Sequence, residues 1–384
     1  MSWNFDEIID RKLSDSIKWK YFAEDVLPMW VADMDFRAPD VVIEALMKRV
    51  QHGVFGYATQ EKETAAAIVD YLQQQYAWQV DPEAIVFLPG VVVGFNLASH
   101  ALVGAGEGIL IQPPVYMPFL GTAKHVSGVL QEAQLTRGEN GRYGVDWDVF
   151  RATFAENTRM FLLCSPHNPV GRVWTRPELE QMAEECLRRG VTVCSDEIHS
   201  DLIFAESKHI PLASLDPEIG KQTITLMAPS KTFNVPGLYC SFAIIPDKEL
   251  RKKFKAAQRG VVGESNLLGM TAAAAAYRHG RPWLEALLAY LQENRDITRN
   301  FIHQNMSALK MSPAEATYLA WIDCREAGLG DKPAEFFLNQ GRVALNEGSW
   351  FGSGGEGFVR LNFGCPRVTL LEGLERMRAA LAAR

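Results

Sequence analysis

Lys231 stands between a serine and a threonine in MAPSKTFNVPG (Met227–Gly237), directly after the apolar, β-prone run Thr223–Met227. Lysines ordinarily occupy polar faces, so an ammonium group on a turn at the end of a core strand needs a reason. Three other strand-end stretches carry polar groups. SPHNPVG (Ser165–Gly171) follows the run MFLLC and sets Asn168 among prolines, either as an Asx-turn or as an orienting carboxamide. CSDEIHSDL (Cys194–Leu202) puts Asp196 at a strand end, with Glu197, His199 and Asp201 close behind. LPGVVVGFNLA (Leu88–Ala98) passes through Pro89-Gly90 into an apolar helix, which is either a plain tight turn or a helix start open to an anion.

Together these types describe one ligand. A lysine amine can form a Schiff base with an aldehyde, and a buried aspartate can pair with a pyridinium nitrogen. An asparagine can hydrogen-bond a phenolic oxygen, and a helix start can hold a phosphate. Those are the requirements of pyridoxal 5′-phosphate. No metal is expected: the carboxylates near His199 match no recognised ligand spacing, and the next histidine, His209, lies ten residues on. The phosphate turn lacks the Lys-Ser/Thr of a nucleoside-triphosphate loop. GSGGEG (Gly352–Gly357) fits the dinucleotide glycine pattern but precedes a strand instead of opening a helix, and reads as a flexible loop beside Arg360.

The elements that must position these groups are legible as strands and helices in alternation. Ala84–Leu88, Gly108–Ile111, Met160–Cys164, Val191–Ser195 and Thr223–Met227 are near-continuously apolar, as strands covered on both faces should be. Between two of them, Arg176 to Arg189 reads as a helix. Thr175 and Glu178 make a capping box, Leu179, Met182, Ala183 and Cys186 form a stripe, and Gly190 is the stop. This β-α-β spacing predicts an α/β fold with a mostly parallel sheet, whose ligands gather at the carboxyl ends of the strands. From Arg281 a long helix, then Ala316–Ile322, Val343–Leu345, Phe358–Asn362 and a last helix from about Leu370 predict a smaller α+β domain.

Composition narrows the class. The chain has 384 residues, 47% hydrophobic and 22% charged, with a net charge of −7, an ordinary globular balance without the basic block of a nucleic-acid binder. The six cysteines show no paired spacing, which fits reduced thiols in a cytoplasmic enzyme. The first residues, MSWNFDEIIDRK, are too acidic and polar for a secretory signal. The uncharged stretch Ala84–Gly106 is broken by Pro89, Gly90, Gly94, Asn96 and His100, so no membrane span is expected there.

The motifs FDEIIDRKLSDSIKWKYF, LPMWVADMDF, PPVYMPF, SPHNPVGRVW, SDEIHSDL, APSKTFNVPGL and FVRLNFGCPR occur in that order. Over essentially its whole length the chain resembles fold-type I pyridoxal-phosphate enzymes of the class I/II aminotransferase family. More narrowly, it is similar to the MalY/PatB group of cystathionine β-lyases. The resemblance implies an N-terminal segment (1–45) packing with the small domain, a large cofactor-binding domain (46–280) around a seven-stranded sheet, and a small domain (281–384). It implies that Lys231 holds pyridoxal 5′-phosphate covalently and, once freed, moves the substrate proton. Asp196 would pair with the ring nitrogen, Asn168 and His199 would surround the ring oxygen, and Tyr116 would stack on the ring. The amides of Val91 and Val92, with Ser230, would hold the phosphate, and Arg360 the α-carboxylate of an amino-acid substrate. Tyr57 would reach the phosphate of a neighbouring subunit, making a homodimer. The segment 30–36 and the loops near Tyr116 and Trp350 would shape the substrate pocket.

Two departures bear on the reaction. Tyr239 stands where many aminotransferases carry a phosphate-binding arginine, and Val91-Val92-Val93 where many place a hydroxyl. Both lean toward a carbon–sulfur β-lyase that cleaves cystathionine or related cysteine S-conjugates to a thiol, pyruvate and ammonia. An aminotransferase acting on an amino acid and a 2-oxo acid is the alternative. A purely regulatory or binding role is a third class, and the intact catalytic set argues against it.

Overall fold

Seven short strands form the central sheet of the structure, a computed structural model in which residues 3–59, 61–263 and 265–384 are described. They are β1 (Ile85–Leu88), β2 (Gly108–Ile111), β3 (Val129–Glu132), β4 (Thr158–Cys164), β5 (Thr192–Asp196), β6 (Thr223–Met227) and β7 (Ser241–Ile244). Their order is β1-β7-β6-β5-β4-β2-β3, and β7 alone runs against both of its neighbours. The other pairings are parallel, so the expected seven-stranded, mostly parallel sheet is present. Two strands escaped the sequence reading. β3 lies at the sheet edge and is partly exposed along its length, so it has no continuous apolar run. β7 is only four residues long.

Helices cover the sheet because its strands are buried on both faces. Helix α1 (Val91–Leu102) follows β1, and Gly94 lets it lie close: a Cβ there would come within 2.8 Å of the Leu226 side chain on β6. Helix α2 (Arg176–Arg189) carries the complete capping box, and Gly190 ends it at φ 64°. Its buried stripe includes the four expected residues.

Helix α3 (Arg281–Asn305) leads into a second, antiparallel sheet. Its order is Lys310–Met311, Leu319–Asp323, Phe358–Asn362, Asn346–Glu347. The chain closes with a helix from Arg367 to Ala382. Near the N-terminus, Leu27–Pro28 pairs in parallel with Val343–Ala344. The segment after it then runs back across the face where the large sheet's strands end.

The glycine-rich stretch 352–357 is not the loose loop expected of it. It folds against the short helical turn Gly348–Phe351 so closely that a Cβ on Gly355 would lie 2.0 Å from the Gly348 carbonyl oxygen. Only glycine tolerates such an approach.

Candidate active site

Each polar residue singled out at a strand end lies at the carboxyl end of the large sheet. Val91 opens α1 after β1, Asn168 follows β4, Asp196 ends β5, and Ser230 and Lys231 sit on the turn after β6. They share one cavity of about 1310 Å³ with Tyr116 and His199, and residues of the 31–38 segment close another side. Glycine at the cap of α1 supplies no side-chain cap, so the first-turn amides of that 12-residue helix are left for a ligand.

Arg360 comes from the second, antiparallel sheet. It lies on Phe358–Asn362, hydrogen-bonded between Leu319–Asp323 and Asn346–Glu347. Its guanidinium donates to Asn168 Oδ1 (3.0 Å), to Asn346 Oδ1 (2.6 Å) and to the Trp30 carbonyl (3.1 Å). Its Nε is buried without a partner, and the group lies 4.9 Å above the Phe351 ring. Burial pulls its pKa down to about 10, so it still carries its charge at neutral pH. No carboxylate pairs with Arg360 among the described residues, which leaves its charge for an anionic ligand.

The other titrating groups are shifted by the same burial. Lys231 opens onto the cavity, yet removal from bulk water lowers its pKa to about 8. Asp33 and Asp196 oppose that fall and Arg360 adds to it. Burial raises Asp196 to about 7, and its side chain accepts one hydrogen bond, from the Ile198 amide (3.1 Å). Burial, then the charges of Lys231 and Arg360, push His199 down to about 3, so its imidazole is neutral. His199 Nδ1 is buried without a partner. An under-satisfied carboxylate, an orphaned imidazole nitrogen and an uncompensated guanidinium around one lysine suit a ligand with a ring cation, a ring oxygen and a carboxylate nearby. Pyridoxal 5′-phosphate fits that donor set.

Beneath this layer, Glu197 accepts from Ser195 Oγ (2.8 Å) and faces His209 Nε2 at 2.8 Å. Asp201 accepts hydroxyls from Tyr71 (2.8 Å), Tyr76 (2.5 Å) and Thr232 (3.0 Å). These two carboxylates are engaged in holding the turns that carry Asp196 and Lys231.

Some predicted residues fall elsewhere. Tyr57 is fully exposed and does not line the cavity. Val92 does line the cavity, 39% exposed at the mouth of the helix start. Tyr239, in a left-handed turn at φ 47°, is exposed on the cavity rim. Trp350 lies outside the cavity wall, and its neighbour Phe351 supports Arg360 instead. The sequence reading also missed Asn234, Asn346, Asn362 and Tyr318. The first and third stand inside the quoted motifs APSKTFNVPGL and FVRLNFGCPR, but nothing in their spacing marks them as functional.

The profile of the family described as Aminotransferase class I and II matches residues 24–377. Cystathionine beta-lyase PatB of Bacillus subtilis is 42% identical, over 99% of this chain and all of that protein. Protein MalY of Escherichia coli is 34% identical, over 99% of each. The crystal structure of cystalysin from Treponema denticola, which contains a pyridoxal 5′-phosphate cofactor, superposes with a TM-score of 0.96 at 32% identity over the full length of both chains. A family match over most of the chain, a relative at 42% identity and a shared whole-chain fold agree: the protein belongs to the class I and II aminotransferase family.

Proposed function

We propose that the protein is a pyridoxal-phosphate-dependent carbon–sulfur β-lyase acting on cystathionine or related cysteine S-conjugates. The observation that carries this reading is a lysine of lowered pKa and a buried carboxylate lining one cavity, with an arginine that no carboxylate pairs bonded to Asn168 on its wall. The full-length similarity to PatB supports the lyase assignment within the family.

Pyridoxal phosphate, when bound, supplies an aldehyde that captures the substrate amine and a ring that accepts negative charge from Cα. Asp196 would face the ring nitrogen, where a cationic partner turns a costly buried carboxylate into a satisfied one. Neutral His199 and Asn168 would bind the ring oxygen, and Tyr116 would cover the ring. The amides of Val91 and Val92, with Ser230, would hold the phosphate. Arg360 would bind the substrate α-carboxylate with its charged fork. Lys231 would anchor the cofactor and, when freed, take the Cα proton, because lowering its pKa from 10.5 to about 8 greatly enlarges the neutral fraction of the amine at cellular pH. The electron pair from the Cα–H bond then forms a Cα–Cβ double bond as the C–S pair leaves with the thiolate. The released enamine hydrolyses to pyruvate and ammonia.

A homodimer completes the reading. Exposed Met47, Val50, Val54 and Phe55 precede the exposed Tyr57, a run of apolar side chains that a second copy would cover. A cytoplasmic setting suits the six buried free thiols. Among the described residues, no helix is long and apolar enough to cross a membrane.

Thiol release from an S-substituted cysteine tests the assignment. The loaded protein is expected to liberate thiol continuously, and Lys231→Ala to reduce the rate by at least about 10²-fold. Undiminished release by the alanine variant would remove Lys231 from the mechanism.

A further inference from the structure

The segment from Met29 to Phe36 crosses the cavity as a strap whose backbone is bonded on both sides. Asn362 Nδ2 donates to the carbonyls of Val31 (2.5 Å) and Asp33 (2.7 Å). Asn234 accepts from the Met34 amide (2.9 Å) and donates to the carbonyls of Met34 (2.9 Å) and Phe36 (2.8 Å). The strap's buried Asp35 carboxylate receives Lys18 Nζ (2.8 Å), Arg11 (2.5 Å) and Trp19 Nε1 (2.9 Å). Asn234 lies three residues after Lys231, in a left-handed conformation at φ 55°. The turn that carries the lysine is therefore tied directly to the strap.

At the centre of the clamped stretch, the Ala32 carbonyl accepts two bonds, one from Lys231 Nζ (2.7 Å) and one from the Tyr318 hydroxyl (2.8 Å). A carbonyl oxygen has two lone pairs, so neither donor displaces the other. Tyr318 is fully buried and does not depend on Lys231 for its bond. The carbonyl therefore keeps a partner when Lys231 leaves and gains one when Lys231 returns. A buried amine needs an acceptor whenever it is not covalently engaged.

We propose that the Ala32 carbonyl is the docking point of the Lys231 amine whenever that amine is free, and that Asn234 and Asn362 are positioning residues that hold the carbonyl there. This rests on the reading of Lys231 as the cofactor-bearing lysine. A docked amine keeps a fixed place during turnover and finds the same place in protein lacking cofactor.

The test uses the full chain, loaded with cofactor and stripped of it. Stripped protein is acylated with acetic anhydride, and modified peptides are quantified by mass spectrometry, with exposed Lys221 as the reference. Asn234→Ala and Asn362→Ala are expected to raise Lys231 labelling at least about fivefold over wild type, with Lys221 unchanged, because loss of the clamp frees the amine from its acceptor. Tyr318→Phe gives a second reading that does not depend on either asparagine variant folding. In its loaded form the Ala32 carbonyl has lost Tyr318 and cannot have Lys231, so the cofactor should dissociate about tenfold more readily. Unchanged Lys231 labelling in the folded asparagine variants, or cofactor affinity in Tyr318→Phe equal to or tighter than wild type, overturns the proposal. Borohydride reduction of loaded wild type keeps the two readings apart. Cofactor fixed on a residue other than Lys231 overturns the assignment of the lysine itself, whereas fixation on Lys231 with unchanged labelling overturns the docking point alone.

Discussion

Lys231 follows a strand of the seven-stranded sheet and Arg360 lies in the antiparallel one, yet both donate to one strap, Lys231 to the Ala32 carbonyl and Arg360 to the Trp30 carbonyl. The group that would move the proton and the group that would hold the carboxylate are thus referenced to backbone atoms two residues apart. A substrate amino acid carries its reacting Cα between its amine and its carboxylate. A common reference for both contacts fixes Cα beside the lysine.

The state of the free lysine has a measurable consequence. Burial lowers the Lys231 pKa to about 8, against an ordinary value of 10.5. Only the neutral amine is nucleophilic, so acylation of Lys231 in stripped protein should rise with pH through a midpoint near 8. Exposed lysines should still be rising above pH 10. A midpoint near 10.5 for Lys231 would mean that the amine is not desolvated.

Asp196 predicts a pH-dependent stability. Its folded pKa is raised to about 7 by burial, from 3.8. The folded state therefore holds a proton that the unfolded chain gives up, and this contribution to stability is lost as pH rises from about 4 through about 7. Stripped Asp196→Asn should gain melting temperature over stripped wild type as pH is taken from 5 to 8. Cofactor should reverse the order, since a ring cation beside the carboxylate favours its charged form. Parallel melting curves across that range would contradict the account.

Arg360→Lys would replace a three-partner fork with a single ammonium. Charged hydrogen bonds of this kind are worth about 1.5–3 kcal/mol, so kcat/KM should fall by about 10- to 150-fold. The loss should appear mainly in KM, with the cofactor's absorption unchanged. An unaltered KM would place the α-carboxylate elsewhere.

Tyr57 should act across subunits. Mixed dimers formed from Tyr57→Phe and Lys231→Ala chains contain one site that carries both lesions and one that carries neither. Mixing two weakly active variants should therefore restore up to half of wild-type activity per mixed dimer. No recovery in confirmed mixed dimers would place Tyr57 outside the site.

Much of this was legible from residue order because strand ends announce themselves. An apolar run followed by a polar residue on a turn locates Lys231, Asp196 and Asn168 without any knowledge of strand order, since parallel strands bring their carboxyl ends to one edge. The α2 capping box was readable because its signal is local. The strap was not. Its clamps, Asn234 and Asn362, act on residues about 200 and 330 positions away in the chain, and such pairings have no local periodicity. Trp350 and Phe351 show the same limit. Both are aromatic neighbours, and only the packed glycine turn decides which of them faces the arginine.

The most direct measurement follows pyruvate, thiol and ammonia together, with loaded protein, L-cystathionine and no 2-oxo acid. The account predicts equal amounts of all three over many turnovers, because elimination leaves the cofactor unchanged. Absence of all three, with at most one equivalent per site of cystathionine's own 2-oxo acid formed until another 2-oxo acid is added, would contradict it and identify an aminotransferase.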